Sequence, residues 1–220
     1  VYLNIEGNTI PDNPTLTLNA KLSSGWQHTF TSQLANAIIP KAPAKIPLAM
    51  KPATFSVPDN NPLPYNTNDL DAKAFVSQSQ KGIILEIQVF DDNFFQPYSN
   101  QNTLWAGDSI QVSLTSEGSQ NHLAIMAASV QGKPKLIVEN KILNDVSHDG
   151  IAFNCKNLDK NTILYTVEIP WNVLPKLDGI VRLSALVNDN DGNGRKSYTQ
   201  FHGGIGKDKN IAEFGTYSLE

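Results

Sequence analysis

"KGIILEIQVF", residues 81–90, decides the fold class. Ile83, Leu85, Ile87 and Val89 alternate with Ile84, Glu86, Gln88 and Phe90, and a two-residue period rich in β-branched side chains builds a strand. Runs of the same kind recur on both sides of it. They are "TLTLNAKL" (15–22), "DSIQVSLT" (108–115), "HLAIMAASV" (122–130), "PKLIVEN" (134–140), "TILYTVEIPW" (162–171), "GIVRLSALVND" (179–189) and "EFGTYSLE" (213–220). Turn chemistry separates them, as in "SEGSQN", "VQGKPK", "LDKNT" and "NDGNG". Many strands at short spacing without intervening helices predict an all-β protein, an antiparallel β-sandwich. "IPWNVLPKL" (169–177) is the one predicted helical turn, ended by Pro175.

Composition narrows the class further. Of 220 residues 40% are hydrophobic and only 17% charged, a balance that folds rather than stays disordered. The formal net charge is −4 and no Lys/Arg cluster occurs, which speaks against a phosphate-tracking surface and hence against a nucleic-acid partner. No apolar run approaches the roughly 18 residues of a membrane span. The single cysteine, Cys155, excludes an intrachain disulfide framework and a cysteine-rich zinc site; its strand context predicts a small buried hydrophobe. The first residues, "VYLNIEG", carry no basic and apolar leader, so the chain reads as a piece of a longer protein with any signal peptide outside it.

The proline-rich stretch 40–64 suits edge strands and extended connections. It places a boundary near residue 56. Residues 1–56 are then an N-terminal β segment, either the remnant of an immunoglobulin-like domain or a piece packed on the main domain. Residues 57–220 form the main sandwich.

The order "DLDAKAFVSQSQKGIILEIQVFDDNF" (69–94), "NTLWAGDSIQVSL" (102–114), "TILYTVEIPWNVL" (162–174), "GIVRLSALVNDNDGNGRKSYTQF" (179–201) and "EFGTYSLE" resembles family 9 carbohydrate-binding modules and their DOMON-like relatives. That resemblance covers about the last two-thirds of the chain. It implies a β-sandwich that binds poly- or oligosaccharide without catalysis, beside neighbouring domains of a secreted or surface bacterial protein. The competing reading is a structural spacer or docking sandwich that has lost sugar binding.

Trp105 is the foremost ligand candidate, since an indole offers an apolar face for the C–H side of a sugar ring. In the resembled modules the tryptophan at this motif is one wall of an aromatic clamp; the alternative is a packed Trp under residues 40–64. The second wall is missing, because "HGGIGKDKNIAEFG" holds no aromatic between Phe201 and Phe214, and His122 stands where a basic residue is expected. Strand alternation puts Tyr198 and His202 on one face, making both further ligand candidates, with Phe201 on the core side. Trp171 and Trp26 are assigned to structure.

"LVNDNDGNGR" (186–195) reproduces the start of a calcium loop, with Asp189, Asp191, Asn193 and Gly194 in place. Gln200 stands where an EF-hand needs Glu, and a strand follows where a helix is expected. A β-loop site for structural calcium would then draw further oxygens from "FDDNF" (90–94) or "NTNDLD" (66–71); ordinary turn chemistry is the alternative. Asp108 is expected to bond backbone or Arg195. No hydrolase, zinc-protease or phosphate-loop motif occurs, and the expectation is a non-enzyme. His122 and Met126 share one strand face, which does not bracket a haem iron, and nothing supports Met50 as a ligand.

Overall fold

The computed structural model describes residues 68–116, 119, 121–140, 150–174, 179–206 and 209–219, with the backbone of five strands between residues 15 and 54. Trp26, Met50 and the expected boundary near residue 56 lie outside the described residues. The chain forms a β-sandwich. Its smaller sheet runs in the order β11 (Ala152–Asn157), β12 (Thr162–Pro170), β7 (Gly82–Asp91), β6 (Leu70–Gln78), β4 (Ile46–Leu48), antiparallel throughout. The larger runs β10 (Lys133–Asn140), β9 (Leu123–Val130), β8 (Ser109–Ser116), β13 (Ile180–Asp189), β14 (Ser197–Phe201), β5 (Lys51–Thr54). To it β15 (Gly215–Leu219) adds against β13, and β3 (Ala37–Ile39) pairs with β15 in parallel. A separate hairpin joins β1 (Thr15–Lys21) and β2 (Gln27–Gln33).

Segments from the proline-rich region thus extend both sheets. Pro47 and Pro52 stand in the edge strands β4 and β5, where a residue without an N–H costs the ladder least.

The period-2 pattern delivers the core directly. Ile83, Leu85, Ile87 and Val89 of β7 and Ile163, Tyr165, Val167 and Ile169 of β12 face Ile110, Val112 and Leu114 of β8 and Val181, Leu183, Ala185 and Val187 of β13. Each is 2% exposed or less. Phe201 joins this core, and Trp171 packs against it with Nε1–H donating to the Ser79 carbonyl at 3.2 Å. Cys155 is only half-buried, on the edge strand β11, where one side faces no neighbouring strand.

The larger sheet is covered on its outer face too. All of β8 is buried. Leu186, Tyr198, Ile205 and Phe214 form one cluster there, and Leu104, Met126 and Ala128 form another. The helical turn expected at 169–177 is instead a hydrogen-bonded turn at its described part, with Val173 N–H donating to the Pro170 carbonyl at 3.0 Å. Pairing of Leu70 with Asp91, Asn188 with Ser109 and Asp189 with Ser197 brings the ends of β6, β7, β8, β13 and β14 to one end of the sandwich. The acidic and aromatic loops meet there.

Candidate functional site

Trp105 sits on a short 3-10 turn, Leu104–Ala106, between β7 and β8. Leu104 is buried against Met126 and Ala128, so the turn is nailed to the outer face of the larger sheet while the next side chain points outward. Trp105 is 41% exposed. Its Nε1–H donates to the Asn102 carbonyl at 2.9 Å, which fixes the ring's rotation. The Arg195 guanidinium lies 5.2 Å from the indole centroid and 5.0 Å from that of Tyr198. It is anchored by Nη1 donating to Asn188 Oδ1 at 2.8 Å. Burial lowers the Arg195 pKa to about 10, against a smaller upward influence of Tyr198.

The other two ligand candidates, Tyr198 and His202, are less exposed than Trp105. Tyr198 is buried, its ring packed with Leu186, Ile205 and Phe214 beneath the guanidinium. His202 has φ +57, so the chain leaves strand alternation at this residue. Its Nε2 lies 3.1 Å from the Tyr217 hydroxyl and its ring meets Phe201 edge-on. Strand alternation alone had put it beside Tyr198. His122 is buried edge-on against Phe214, and burial lowers its pKa.

Beneath the Trp105 turn stands an acidic centre. Asp91 ends β7, Asp108 precedes β8 and Asp189 ends β13; one carboxylate oxygen of each lies within 4.8 Å of the others. Their exposures are 1%, 2% and 1%. Asp108 accepts from the Asn190 N–H at 2.7 Å through Oδ1 and from the Phe95 N–H through Oδ2. Asp91 Oδ1 accepts from the Asn93 N–H at 2.9 Å, and Asp189 Oδ2 from the Ser197 hydroxyl at 2.6 Å. Asp91 Oδ2 and Asp189 Oδ1 are buried without a hydrogen-bond partner. Burial first, then the neighbouring carboxylates, push Asp91 up to about 7 and Asp108 to about 9; burial raises Asp189 to about 6.

A second group, Asp69, Asp92 and Asp191, adjoins the first. Lys196 Nζ lies 2.5 Å from both Asp69 Oδ1 and Asp191 Oδ2. Asn193 is exposed, and Asp189 and Asp191 belong to different groups. Gly192 at φ +105 and Gly194 at φ +91 bend the loop between them. Asn190, fully buried, is the clip that sequence reasoning missed. Its Nδ2 donates to the Ala106 carbonyl at 2.6 Å and its Oδ1 accepts from Gly192 at 2.7 Å, joining the acidic loop to the Trp105 turn. Its position inside "NDND" was the available signal, but turn chemistry explains such residues equally well.

No family model matches the chain, and no curated protein matches it. Solved structures do. A family 9 carbohydrate-binding module from Caldicellulosiruptor kristjanssonii, in complex with cellotriose, superposes with a TM-score of 0.56 at 14% identity. The alignment covers 84% of this chain and 92% of that one. Its complex with glucose gives 0.55, also at 14%, covering 84% and 94%. A candidate carbohydrate-binding protein from Bacteroides uniformis gives 0.56 at 14%, covering 79% and 87%. The fold is the β-sandwich of these modules.

Proposed function

We propose that this chain is a non-catalytic carbohydrate-binding module of a larger secreted or surface bacterial protein, with Trp105 as its sugar-stacking residue. The observation that carries this reading is the exposed indole, held in one orientation by Asn102 on its edge and Arg195 against its ring. Stacking on a preorganised ring avoids the entropy of ordering a long side chain on binding. The alternative, a spacer sandwich without a ligand, has no use for such a ring. Aspartates buried on the backbone N–H groups of Asn93, Phe95 and Asn190 and the Ser197 hydroxyl support a structural rather than a hydrolytic role, since an acid–base pair must flank a substrate in a cleft.

Structural calcium at Asp91, Asp108 and Asp189 belongs to this proposal. The donors are hard carboxylate oxygens, and Asp91 Oδ2 and Asp189 Oδ1 have no other partner. Bound there, the ion would tie the 91–108 and 189–197 loops together under Trp105.

Calorimetric titration with soluble oligosaccharides and pull-down on insoluble polysaccharides test the sugar reading, with Trp105→Ala as the control. The expected result is a loss of about tenfold or more in affinity for the variant. Equal binding by the variant would remove Trp105 from the site, and no binding by either would leave the spacer.

A further inference from the structure

Residues 93–107, "NFFQPYSNQNTLWAG", contain no charged side chain. Within this segment lie Phe94 and Phe95, each 37% exposed, and Trp105. These are three of the four large hydrophobic side chains that stand exposed among the described residues. Large aromatic rings exposed on one segment leave apolar surface in water that a partner can cover.

The segment is not a loose loop. Gln96 Nε2 donates to the Leu104 carbonyl at 3.0 Å and to the Asp108 carbonyl at 2.9 Å, and Gln96 Oε1 accepts from the Tyr98 N–H at 3.0 Å. A Cβ at Gly107 would collide with this amide, so the glycine lets the two limbs close. Phe95 and Asp108 exchange bonds, the Phe95 N–H donating to Asp108 Oδ2 and the Asp108 N–H to the Phe95 carbonyl at 3.3 Å. Asn100 Oδ1 accepts from the Asn102 N–H at 3.0 Å and the Thr103 hydroxyl at 2.9 Å. The backbone is held internally, while the rings of Phe94, Phe95 and Trp105 are left outside.

We infer that Phe94 and Phe95 extend the Trp105 platform, so that the ligand is a run of several rings of a neutral polysaccharide laid along residues 93–107. This rests on the sugar-binding reading and goes beyond a one-ring contact at Trp105. The chemistry fits that occupant. Aromatic faces meet the C–H faces of successive sugar rings, while the exposed amides of Asn93, Gln101 and Asn102 match hydroxyls as donors and acceptors. Residues 93–107 carry no charge of their own, and the Arg195 guanidinium beside Trp105 is engaged by Asn188, which favours a neutral glycan. Its rigidity suits an extended chain, because little order is lost on binding.

The test is a titration of the full chain with β-1,4-linked gluco-, xylo- and manno-oligosaccharides, from the monosaccharide to the hexasaccharide. Wild type, Phe94→Ala/Phe95→Ala and Trp105→Ala are compared, with melting curves confirming that each is folded. For the preferred series, wild-type affinity should rise about tenfold or more between monosaccharide and hexasaccharide. The double phenylalanine variant should lose that rise and keep the short-chain affinity. A double variant that binds the hexasaccharide like wild type, or a wild type indifferent to length, overturns the platform while leaving sugar binding at Trp105 intact. Failure of wild type with every series overturns both readings. Self-association abolished by the double variant, with sugar binding untouched, would make this face a contact between copies and also overturn the platform.

Discussion

Two groups of three aspartates share the loop end of the sandwich, with Asp91 next to Asp92 and Asp189 two residues from Asp191, yet they hold their charge in opposite ways. In the Asp69, Asp92, Asp191 group the chain supplies its own cation. Hydrogen bonds donated by Lys196 to Asp191 and Asp69 raise its pKa despite the opposing effect of burial. In the Asp91, Asp108, Asp189 group no cationic side chain among the described residues bonds a carboxylate, and burial is nearly complete. A buried charge without a partner either takes a proton or recruits an ion. One group is therefore complete when the chain folds, and the other depends on what the solvent provides.

The largest effect that could break this contrast is pH dependence in chelator. The three buried carboxyls have folded pKa values raised above 3.8, so the folded state keeps protons that the unfolded chain has released. The penalty is absent below about pH 4 and complete once pH passes the highest folded value, about 9. Melting temperature should fall across that window, by up to about 1.4 kcal/mol of stability per pH unit for each proton retained. Saturating calcium should flatten the fall, because the ion stabilises the ionised form. The Lys196 pairs add no slope there, since a raised lysine pKa gives stability that is lost only above its ordinary 10.5. A curve insensitive to calcium would make the buried group a proton store and nothing more.

Smaller is the cost of Asp108→Ala, expected at about 3 kcal/mol in denaturant unfolding, because the Phe95 and Asn190 N–H groups lose their acceptor inside the protein. Smallest is Lys196→Met, at about 1 kcal/mol by the same measurement, since its side chain is 28% exposed and water shares the work of the ion pairs. Equal costs for these two variants would show that the groups are not different in kind.

Most of the sandwich was legible because strand patterning is local. "KGIILEIQVF" and "TILYTVEIPW" show their inner faces as alternation, and the structure keeps Ile83 and Ile163 where that pattern puts them. The doubled coverage of β8 was not legible, since Leu104 and Phe214 reach that sheet from distant parts of the chain. The site was legible only in pieces. Trp105 stands exposed, but Phe94 and Phe95 passed as part of an acidic loop. Asp189 was visible as an oxygen donor and "FDDNF", with Asp91, as a source of further oxygens, while Asp108 arrives from the start of β8, which spacing within one loop cannot reveal. Spacing also favoured Asn193, which lies exposed between the two glycines that bend the loop. His202 escaped because one left-handed residue cancels the alternation on which its placement rested.

β8 lies inside the larger sheet with both of its faces covered. Its amide hydrogens exchange with solvent only when the whole sandwich opens, so on the scale of hydrogen exchange this is the slowest part of the molecule. The Trp105 turn and Asp108 are rooted directly at its first residue. The exposed indole of Trp105 is thus mounted on the segment that yields last, and local fraying of the edges leaves it in place.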